Sequence, residues 1–445
     1  MKRFLMLILG LNLGIIIVFW LVSSGSALLV NGSDPISLGT FFLALGRLFG
    51  LLGMFFVLFQ LILIGRTVWV ERRYGHDALA KIHQENGRIA LGLLILHPIF
   101  LILGHSWVSG LSFVDGFLNL VQTKPLVIFA PIGLIILFTI VLISNPLIMK
   151  RVKYEHWYYF HLFMYSAIAL VIGHQFFAGT DFKTVPAFLG YWIALYIFVI
   201  GNFVLYRLMK PFLLYRRHKF VLDRRIQETH DTVSLYIKGR DMDKFNILPG
   251  QFLLMRFLLK GLWWQVHPFS ISACPKGQEV RVTIKAEGDY TKELVQINPG
   301  TRVILDGPLG RFTRIASKKE KVLFIAAGVG ITPIRSVMED LALLGKNLLL
   351  IYGNKTSKDI IFQEELEALS KKYSIPIHYF LSREKAAPPI NVGRIDLQAI
   401  QRLVPDLQDR EIFLCGPVEM MRSLRISLAK IGFPSEYIHF EKFNW

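Results

Sequence analysis

Cysteine is scarce in this sequence, which has only Cys274 and Cys415 among its 445 residues. Two cysteines are too few for a disulfide framework or for a cluster held by several thiolates. Both lie in the second half of the chain, and their number is consistent with a reducing, cytosolic setting for that half.

Acidic residues are also few: 32 aspartates and glutamates stand against 50 lysines and arginines, giving a formal net charge of +18. Such an excess can indicate a nucleic-acid-binding protein. Here many of the basic residues adjoin long apolar runs, where the orientation of membrane helices explains them better. The charge therefore does not predict a nucleic-acid partner.

Polar sequence is sparse before about residue 210. The mean hydropathy of +0.46 and the hydrophobic content of 53% are too high for a soluble protein of this size. After residue 210 the polar and charged fraction is that of a globular enzyme. The sequence predicts a membrane domain over residues 1–211, followed by a water-soluble half.

Six apolar segments are long enough to cross a membrane as helices. They cover residues 4–29, 38–65, 82–105, 125–148, 156–178 and 187–209. The first follows Lys2 and Arg3 and is followed by a poor cleavage site, so we expect a retained helix rather than a signal peptide.

Lysine and arginine are unequally divided between the two ends of these segments. Only Lys124 and Lys183 lie in the connections on one side, whereas the other side holds fourteen basic residues. The positive-inside rule then places the N-terminus and the second half of the chain in the cytosol. We expect a multi-pass protein of the cell membrane.

Four histidines lie inside predicted membrane helices, where an ionisable side chain is rare and indicates function. His83 and His97 are 14 residues apart in the third segment, and His161 and His174 are 13 apart in the fifth. Both segments run outward from the cytosol, so His83 pairs by depth with His161 and His97 with His174, at levels about 20 Å apart. Two imidazoles at each level predict bis-histidine ligation of two b-type haems, with His105 or His156, near helix ends, as the alternative partners.

The spacing in the fifth segment does not fit a regular helix. Thirteen residues leave His161 and His174 off a common face of an ideal helix, so a local bulge or different haem tilts are required.

Arg47 lies within the second segment, near its outer end, where an unpaired charge is costly. Two explanations are open: the propionates of an outer haem supply its counter-charge, or the side chain extends to the membrane surface. The first explanation makes Arg47 a candidate cofactor-binding residue.

The second half of the chain changes pattern near residue 316. Residues 212–315 contain short alternating segments such as VSLYIKG and RVTIKAEG, which are typical of an antiparallel β-barrel. Residues 316–445 contain a strand, a glycine-rich turn and a helix in succession, as in KVLFIAAGVGITPIRSV, which predicts an α/β nucleotide-binding domain.

Three short motifs in this half suit cofactor chemistry. The first motif comprises His267, Pro268, Phe269, Ser270, Ile271 and Ser272. It offers an aromatic ring and hydroxyls beside a proline for contact with a flavin. The alternative is that this segment is an ordinary strand end. The second lets backbone N–H groups approach a pyrophosphate: Gly328, Gly330, Thr332 and Pro333. The third ends a late strand, where open α/β sheets bind ligands: Cys415, Gly416 and Pro417. Cys415 can also be simply a small buried residue.

Taken in order, these residues resemble the NADPH oxidase and ferric reductase family over almost the whole chain, from about residue 38. The spacings of the histidine pairs match the family's pattern, as do six further features: HPFS at 267–270, GDYT at 288–291, DGPLG at 306–310, GVGITP at 328–333, CGP at 415–417 and the terminal Trp445. The resemblance implies a six-helix haem bundle, an antiparallel β-barrel FAD domain and a ferredoxin-reductase-like α/β domain for NAD(P)H.

The resemblance also assigns roles to individual residues. Trp445 is expected to cover the flavin face where nicotinamide docks, and Ser270 and Cys415 are the other expected catalytic residues. Lys285 and Thr291 are expected to contact the cofactor as well.

The family's arginine in the strand after the nicotinamide loop is Lys355 here. Together with Arg383 and Arg394, Lys355 favours NADPH over NADH. The sequence has no calcium-binding segment, which favours constitutive activity.

These expectations define one electron path. A hydride from NAD(P)H carries two electrons and a haem iron accepts one, so a flavin must stand between them. The path runs from cytosolic NAD(P)H through FAD and two haems to an extracytoplasmic acceptor. O2, giving superoxide, is favoured over ferric or cupric chelates because the outer loops hold no Cys, Met or His cluster. A further hypothesis, a haem membrane anchor serving a partner protein or quinone, is disfavoured by the two complete cofactor domains.

Overall fold

The computed structural model describes residues 2–25, 35–124, 126–149, 151–152, 154–275, 277, 279–385, 387 and 389–441. The chain divides into two compact units. The first comprises Met1–Tyr74 and Ala78–Arg207, and the second comprises Gly75–Asp77 and Leu208–Trp445.

The first unit is helical. Its elements are α1 (Lys2–Ser24), α2 (Pro35–Ile64), α3 (Val68–Tyr74), α4 (His76–Ser109), α5 (Phe113–Thr123), α6 (Phe129–Ile143), α7 (Pro146–Met149), α8 (Tyr154–Leu162), α9 (Met164–Ala178), α10 (Asp181–Thr184) and α11 (Pro186–Phe203). A π-helix (Val204–Met209) and α12 (Lys210–His218) follow α11.

Five helical stretches in the described part of the chain are long and apolar enough to cross a membrane. They are Phe4–Ser24, Leu38–Ile64, Ala78–Ser109, His156–Ala178 and Pro186–His218. Their length and composition are those of a membrane protein and are consistent with several spans.

The predicted count of six full-length spans is not confirmed. The fourth predicted segment, 125–148, holds the apolar helix α6, which has only 15 residues. α6 ends at Ile143 because Ser144 and Asn145 lie in a turn before Pro146. Proline disfavours the helical conformation in the residue that precedes it.

The fifth predicted segment is interrupted between its two histidines. α8 ends at Leu162, Phe163 lies in a turn, and α9 begins at Met164. The N–H of Phe163 bonds to the carbonyl of Phe160 at 3.1 Å, a tighter step than the i→i−4 bond of an α-helix. The helix is thus irregular where the spacing of His161 and His174 required it to be.

α12 belongs to the second unit, where it precedes a β-domain of two three-stranded antiparallel sheets, ordered β1-β2-β5 and β4-β3-β6. Its elements are β1 (Val221–Thr229), β2 (Thr232–Lys238), β3 (Phe252–Phe257), β4 (His267–Ser270), β5 (Glu279–Lys285), α13 (Asp289–Leu294) and β6 (Val303–Leu309). Apolar residues alternate along β2, so that Val233, Leu235 and Ile237 point into one shared core.

The second unit continues with a six-stranded sheet, in which all adjacent strands are parallel and whose order is β10-β9-β8-β7-β11-β12. Its strands are β7 (Lys321–Ala327), β8 (Asn347–Asn354), β9 (Ile377–Leu381), β10 (Asn391–Val392), β11 (Glu411–Cys415) and β12 (Ile438–Glu441). Its helices are α14 (Ile331–Leu343), α15 (Gln363–Tyr373), α16 (Leu397–Leu403) and α17 (Val418–Lys430). The strand order reverses between β7 and β11, which is where such sheets bind ligands.

Candidate functional site

Four histidines of the first unit lie in two pairs. The ring centroids of His83 and His161 are 6.0 Å apart, and those of His97 and His174 are 6.4 Å apart. The structure therefore brings α4 and the α8–α9 stretch together at two levels, with one imidazole from each stretch at each level.

Both separations fit a metal ion held between two imidazoles. A metal–imidazole nitrogen bond is about 2 Å long, and a ring centre lies about 1.1 Å from its nitrogen, so two ligands on opposite sides of one ion place their centroids about 6.3 Å apart. The residues present thus suit bis-histidine ligation of a haem iron at each level.

The tautomer of His97 is set by the backbone of α2. Its Nδ1 lies 2.7 Å from the carbonyl oxygen of Gly46. Because a carbonyl only accepts, Nδ1 carries the hydrogen and Nε2 is left with a lone pair for a metal. A ligating histidine commonly donates its second ring N–H in this way.

Ser144 plays a similar part beside His161. Its hydroxyl donates to the carbonyl of Ile140 at 2.7 Å and accepts from Nε1 of Trp157 at 3.0 Å. The remaining lone pair faces Nδ1 of His161 at 3.4 Å. This arrangement again assigns the hydrogen to Nδ1 and leaves Nε2 available.

Arg47 has a counter-charge within the protein. Its Nη1 donates to the hydroxyl of Thr180 at 2.7 Å, and its Nε lies 3.7 Å from a carboxylate oxygen of Asp181. Asp181 is buried and also accepts from the hydroxyls of Ser23 and Ser24. Asp181 thus supplies a counter-charge to Arg47 within the protein, and a role of Arg47 at a haem stays a prediction.

The predicted flavin segment and its neighbouring motifs share one sheet. β4 carries His267–Ser270 and pairs with β3, so that Ser270 lies opposite Phe252. β3 pairs on its other side with β6, which carries Asp306–Leu309. Ser270 is buried, with 5% of the residue exposed.

The GDYT segment packs against the same flavin segment. The rings of His267 and Tyr290 stack at 3.9 Å between centroids. Thr291 accepts from the backbone N–H of Gly288 at 2.9 Å, at the start of α13. Lys285, at the end of β5, lies 3.6 Å from a carboxylate oxygen of Asp231.

The glycine turn and the CGP motif meet at the point where the sheet order reverses. β7 leads into a short 3-10 helix, Gly328–Gly330, and then into α14. A Cβ at Gly330 would lie 2.3 Å from the carbonyl oxygen of Cys415, so only glycine permits this approach. Thr332 donates to the carbonyl of Val329 at 3.0 Å, which closes the turn.

Cys415 is an uncharged thiol in this environment. Burial raises the pKa of the Cys415 thiol well above its usual value of 9.0, and the nearby Glu441 carboxylate raises it further. The Sγ atom lies 3.6 Å from the carbonyl oxygen of Glu441. Cys415 can therefore pack or donate a weak hydrogen bond, but it is no thiolate nucleophile.

Two of the basic residues expected near a 2′-phosphate lie side by side. The N–H of Arg383 bonds to the carbonyl of Lys355 at 2.9 Å, just beyond the ends of β8 and β9. Arg394 follows β10 at the same edge of the sheet, and all three side chains are exposed.

One expected site residue, Trp445, lies outside the described residues. Sequence reasoning also missed Glu441, which ends β12 directly beside Cys415 and is 9% exposed. Its sequence signal is faint, because an acidic residue after an apolar strand is common at strand ends.

Three family models match the chain in succession. They are the ferric reductase like transmembrane component over residues 49–172, an FAD-binding domain over 220–312 and an oxidoreductase NAD-binding domain over 324–425. The first covers His83, His97 and His161 and ends two residues before His174.

Known proteins with similar sequences are oxidoreductases. An NADPH oxidoreductase of Mycobacterium tuberculosis is 32% identical over 49% of this chain and 57% of its own length. The ferredoxin reductase component of a 3-ketosteroid-9-alpha-monooxygenase of Rhodococcus rhodochrous is 30% identical over 49% of this chain and 63% of its own length. The chain thus spans about three fifths of these relatives. A solved structure, the ferredoxin reductase in carbazole 1,9a-dioxygenase, is 24% identical with a TM-score of 0.46, covering 51% of this chain and 68% of that chain.

The chain thus joins a ferric-reductase-like transmembrane domain to an FAD-binding domain and an oxidoreductase NAD-binding domain. More particularly, the chain has the architecture of the NADPH oxidase and ferric reductase family, as the sequence motifs predicted.

Proposed function

We propose that the protein transfers electrons from cytosolic NAD(P)H, through FAD and two b-type haems, to an acceptor on the opposite side of the membrane. The observation that carries this proposal is the pairing of His83 with His161 and of His97 with His174, at 6.0 and 6.4 Å between centroids. A single pair suits ordinary packing, whereas two pairs on the same two helical stretches suit two haems.

When bound, FAD supplies the conversion between a two-electron hydride and single electrons, and haem carries single electrons. His83 and His161 would hold the inner haem, and His97 and His174 the outer one. The Gly46 carbonyl and the Ser144 hydroxyl would orient two of these ligands, because each faces an Nδ1 atom and leaves Nε2 for the metal.

The flavin and nicotinamide would meet between the two parts of the second unit. The flavin candidates His267–Ser272, Lys285 and Thr291 belong to the β-domain, and Gly328, Gly330 and Cys415 belong to the α/β domain. Trp445 is proposed to cover the flavin until nicotinamide docks. The positive charges of Lys355, Arg383 and Arg394 favour NADPH over NADH at the adenosine end of the nucleotide.

We propose six membrane helices, with α6 as the fourth. Fifteen residues extend about 22 Å, less than a typical hydrocarbon core of about 30 Å, and α7 would lengthen this crossing. The distribution of lysine and arginine then places the N-terminus and the second unit in the cytosol. Electrons would leave at the outer level of His97 and His174.

O2, reduced to superoxide, is the acceptor we favour, because the outer loops hold no Cys, Met or His cluster to receive a metal chelate. The match to the ferric reductase model supports a second candidate, a ferric chelate. Superoxide and ferrous iron can be measured side by side on the purified protein with NADPH. Each hydride carries two electrons and superoxide takes one, so superoxide formation at about twice the rate of NADPH oxidation supports the oxidase. Ferrous iron formation without superoxide would replace it by the reductase.

A further inference from the structure

The β-domain has a buried polar face outside its apolar core. On β5, Val280, Val282 and Ile284 point into the core, and Arg281 and Thr283 alternate with them on the opposite face. Arg281 and Thr283 are nevertheless only 4% exposed. The α/β domain covers this face, since the Arg281 guanidinium lies 4.5 Å from the ring of Phe362.

Charged residues join the two domains across this face. Nη1 and Nη2 of Arg281 donate to the two carboxylate oxygens of Glu365, on α15, at 2.5 and 3.0 Å. Arg335, on α14, approaches the same carboxylate with its Nε at 3.0 Å and donates to Glu339 at 2.5 Å. Two guanidinium groups, one from each domain, therefore share Glu365. The Arg281–Glu365–Arg335–Glu339 cluster is here termed the polar seam.

The polar seam is bonded directly to the end of the predicted flavin segment. Nη2 of Arg281 donates to the carbonyl of Ser272 at 2.7 Å. The hydroxyl of Ser336, on α14, donates to the carbonyl of Ile271 at 2.8 Å and accepts from the N–H of Gly250 at 2.9 Å. α14 itself begins directly after the glycine turn, so one helix links the nucleotide-binding turn to the flavin segment.

The ion pairs of the polar seam fix the relative position of the two domains more than they strengthen the binding between them. A buried ion pair gains little net free energy, because desolvation offsets most of the attraction. A two-point guanidinium–carboxylate contact, however, fixes both distance and orientation. In hydride transfer the reacting atoms must approach to about 3–3.5 Å, and a displacement of about 1 Å can cost about 100-fold in rate.

We propose that Arg281 is a positioning residue for hydride transfer. Through Glu365 it holds the nucleotide-binding turn at a set distance from the flavin segment, and it contacts neither reactant itself. The proposal rests on the function proposed above and adds a residue that no motif of the chain contains.

The test uses the full-length protein loaded with FAD and haem. Arg281→Met should lower the limiting rate of flavin reduction by NADPH about 100-fold, with a much smaller change in the NADPH concentration at half-maximal rate. Arg281→Lys keeps the charge but loses the two-point contact, so it should recover only part of the rate. The matched control is Arg224→Met, because Arg224 makes a two-point pair with Glu279 at 2.7 and 2.8 Å wholly within the β-domain.

A second readout needs neither FAD nor turnover. The Gly250 N–H bond to Ser336 crosses the domain boundary, so its hydrogen exchange reports opening at the polar seam. Arg281→Met should speed exchange at Gly250 about tenfold and leave β2 protected. Wild-type rates of flavin reduction and exchange in Arg281→Met would overturn the proposal, as would loss of protection throughout β2 and β5. If NADPH and NADH fail to reduce the wild-type flavin, the proposed function falls, while exchange at Gly250 still tests the polar seam.

Discussion

The imidazole of His97 lies against Gly50 so closely that a Cβ at Gly50 would come within 2.5 Å of Nδ1 and 2.7 Å of Cε1. One turn away, the carbonyl of Gly46 accepts the hydrogen of the same Nδ1. Helix α2 therefore fixes the position of the His97 ring through Gly46 and Gly50. This role requires glycine because the ring occupies the volume of a side chain.

Gly50→Ala should displace His97 and release the outer haem, because the added methyl group would overlap the ring. Haem content should fall from about two to about one per chain, measured by pyridine haemochrome, since one of two bis-histidine sites is lost. Gly92→Ala, on α4, is the control, as a Cβ there meets nothing within 4 Å. An unchanged haem content in Gly50→Ala would contradict this account of His97.

Ser144→Ala should weaken the inner haem site. The substitution removes the hydroxyl that faces Nδ1 of His161 at 3.4 Å, and loss of such a partner commonly lowers metal-site affinity at least tenfold. Competition with apomyoglobin for haem measures the effect, with one haem released faster and the other unchanged.

Thr139→Ala is the control for this experiment, because its hydroxyl bonds only within α6, to the carbonyl of Ile135 at 2.8 Å. Equal haem release from Thr139→Ala and Ser144→Ala would show that the loss comes from α6 in general. The inference that Ser144 orients the His161 ring would then be wrong.

Some of these relationships could be predicted from the sequence, and others could not. Depth along a helix depends only on residue count, so the partners of His83 and His97 followed from their positions. The irregular helix at Phe163 was required by the same count, although its form was not. Motifs near Gly330 and Cys415 lie on adjacent parallel strands, whose ends meet by the rules of open sheets.

No pattern in the sequence indicated the contacts between side chains that are far apart along the chain. Asp181 is 134 residues from Arg47, and Glu365 is 84 residues from Arg281. Neither pair belongs to a motif, and a charge outside a motif is usually solvated. The length of the fourth membrane helix was overestimated, because the apolar sequence continues past Pro146 whereas α6 ends at Ile143.

Arg383→Ala should reduce the preference for NADPH. Removal of one charge-assisted contact to a 2′-phosphate should lower kcat/KM for NADPH about tenfold and leave that for NADH nearly unchanged. Steady-state kinetics with both nucleotides measure the ratio. Lys358→Ala, an exposed lysine near Lys355, is the matched control. Equal decreases in kcat/KM for NADH and NADPH would mean that Arg383 does not contact the 2′-phosphate.

The most direct test of the electron path is the visible spectrum of the purified protein, supplied with FAD, before and after NADPH is added without oxygen. We predict about two haems per chain and the appearance of reduced b-type bands on NADPH addition alone. Protein without haem would contradict the ligand roles of His83, His97, His161 and His174. Haem that stays oxidised until dithionite is added would contradict the path from nucleotide to membrane.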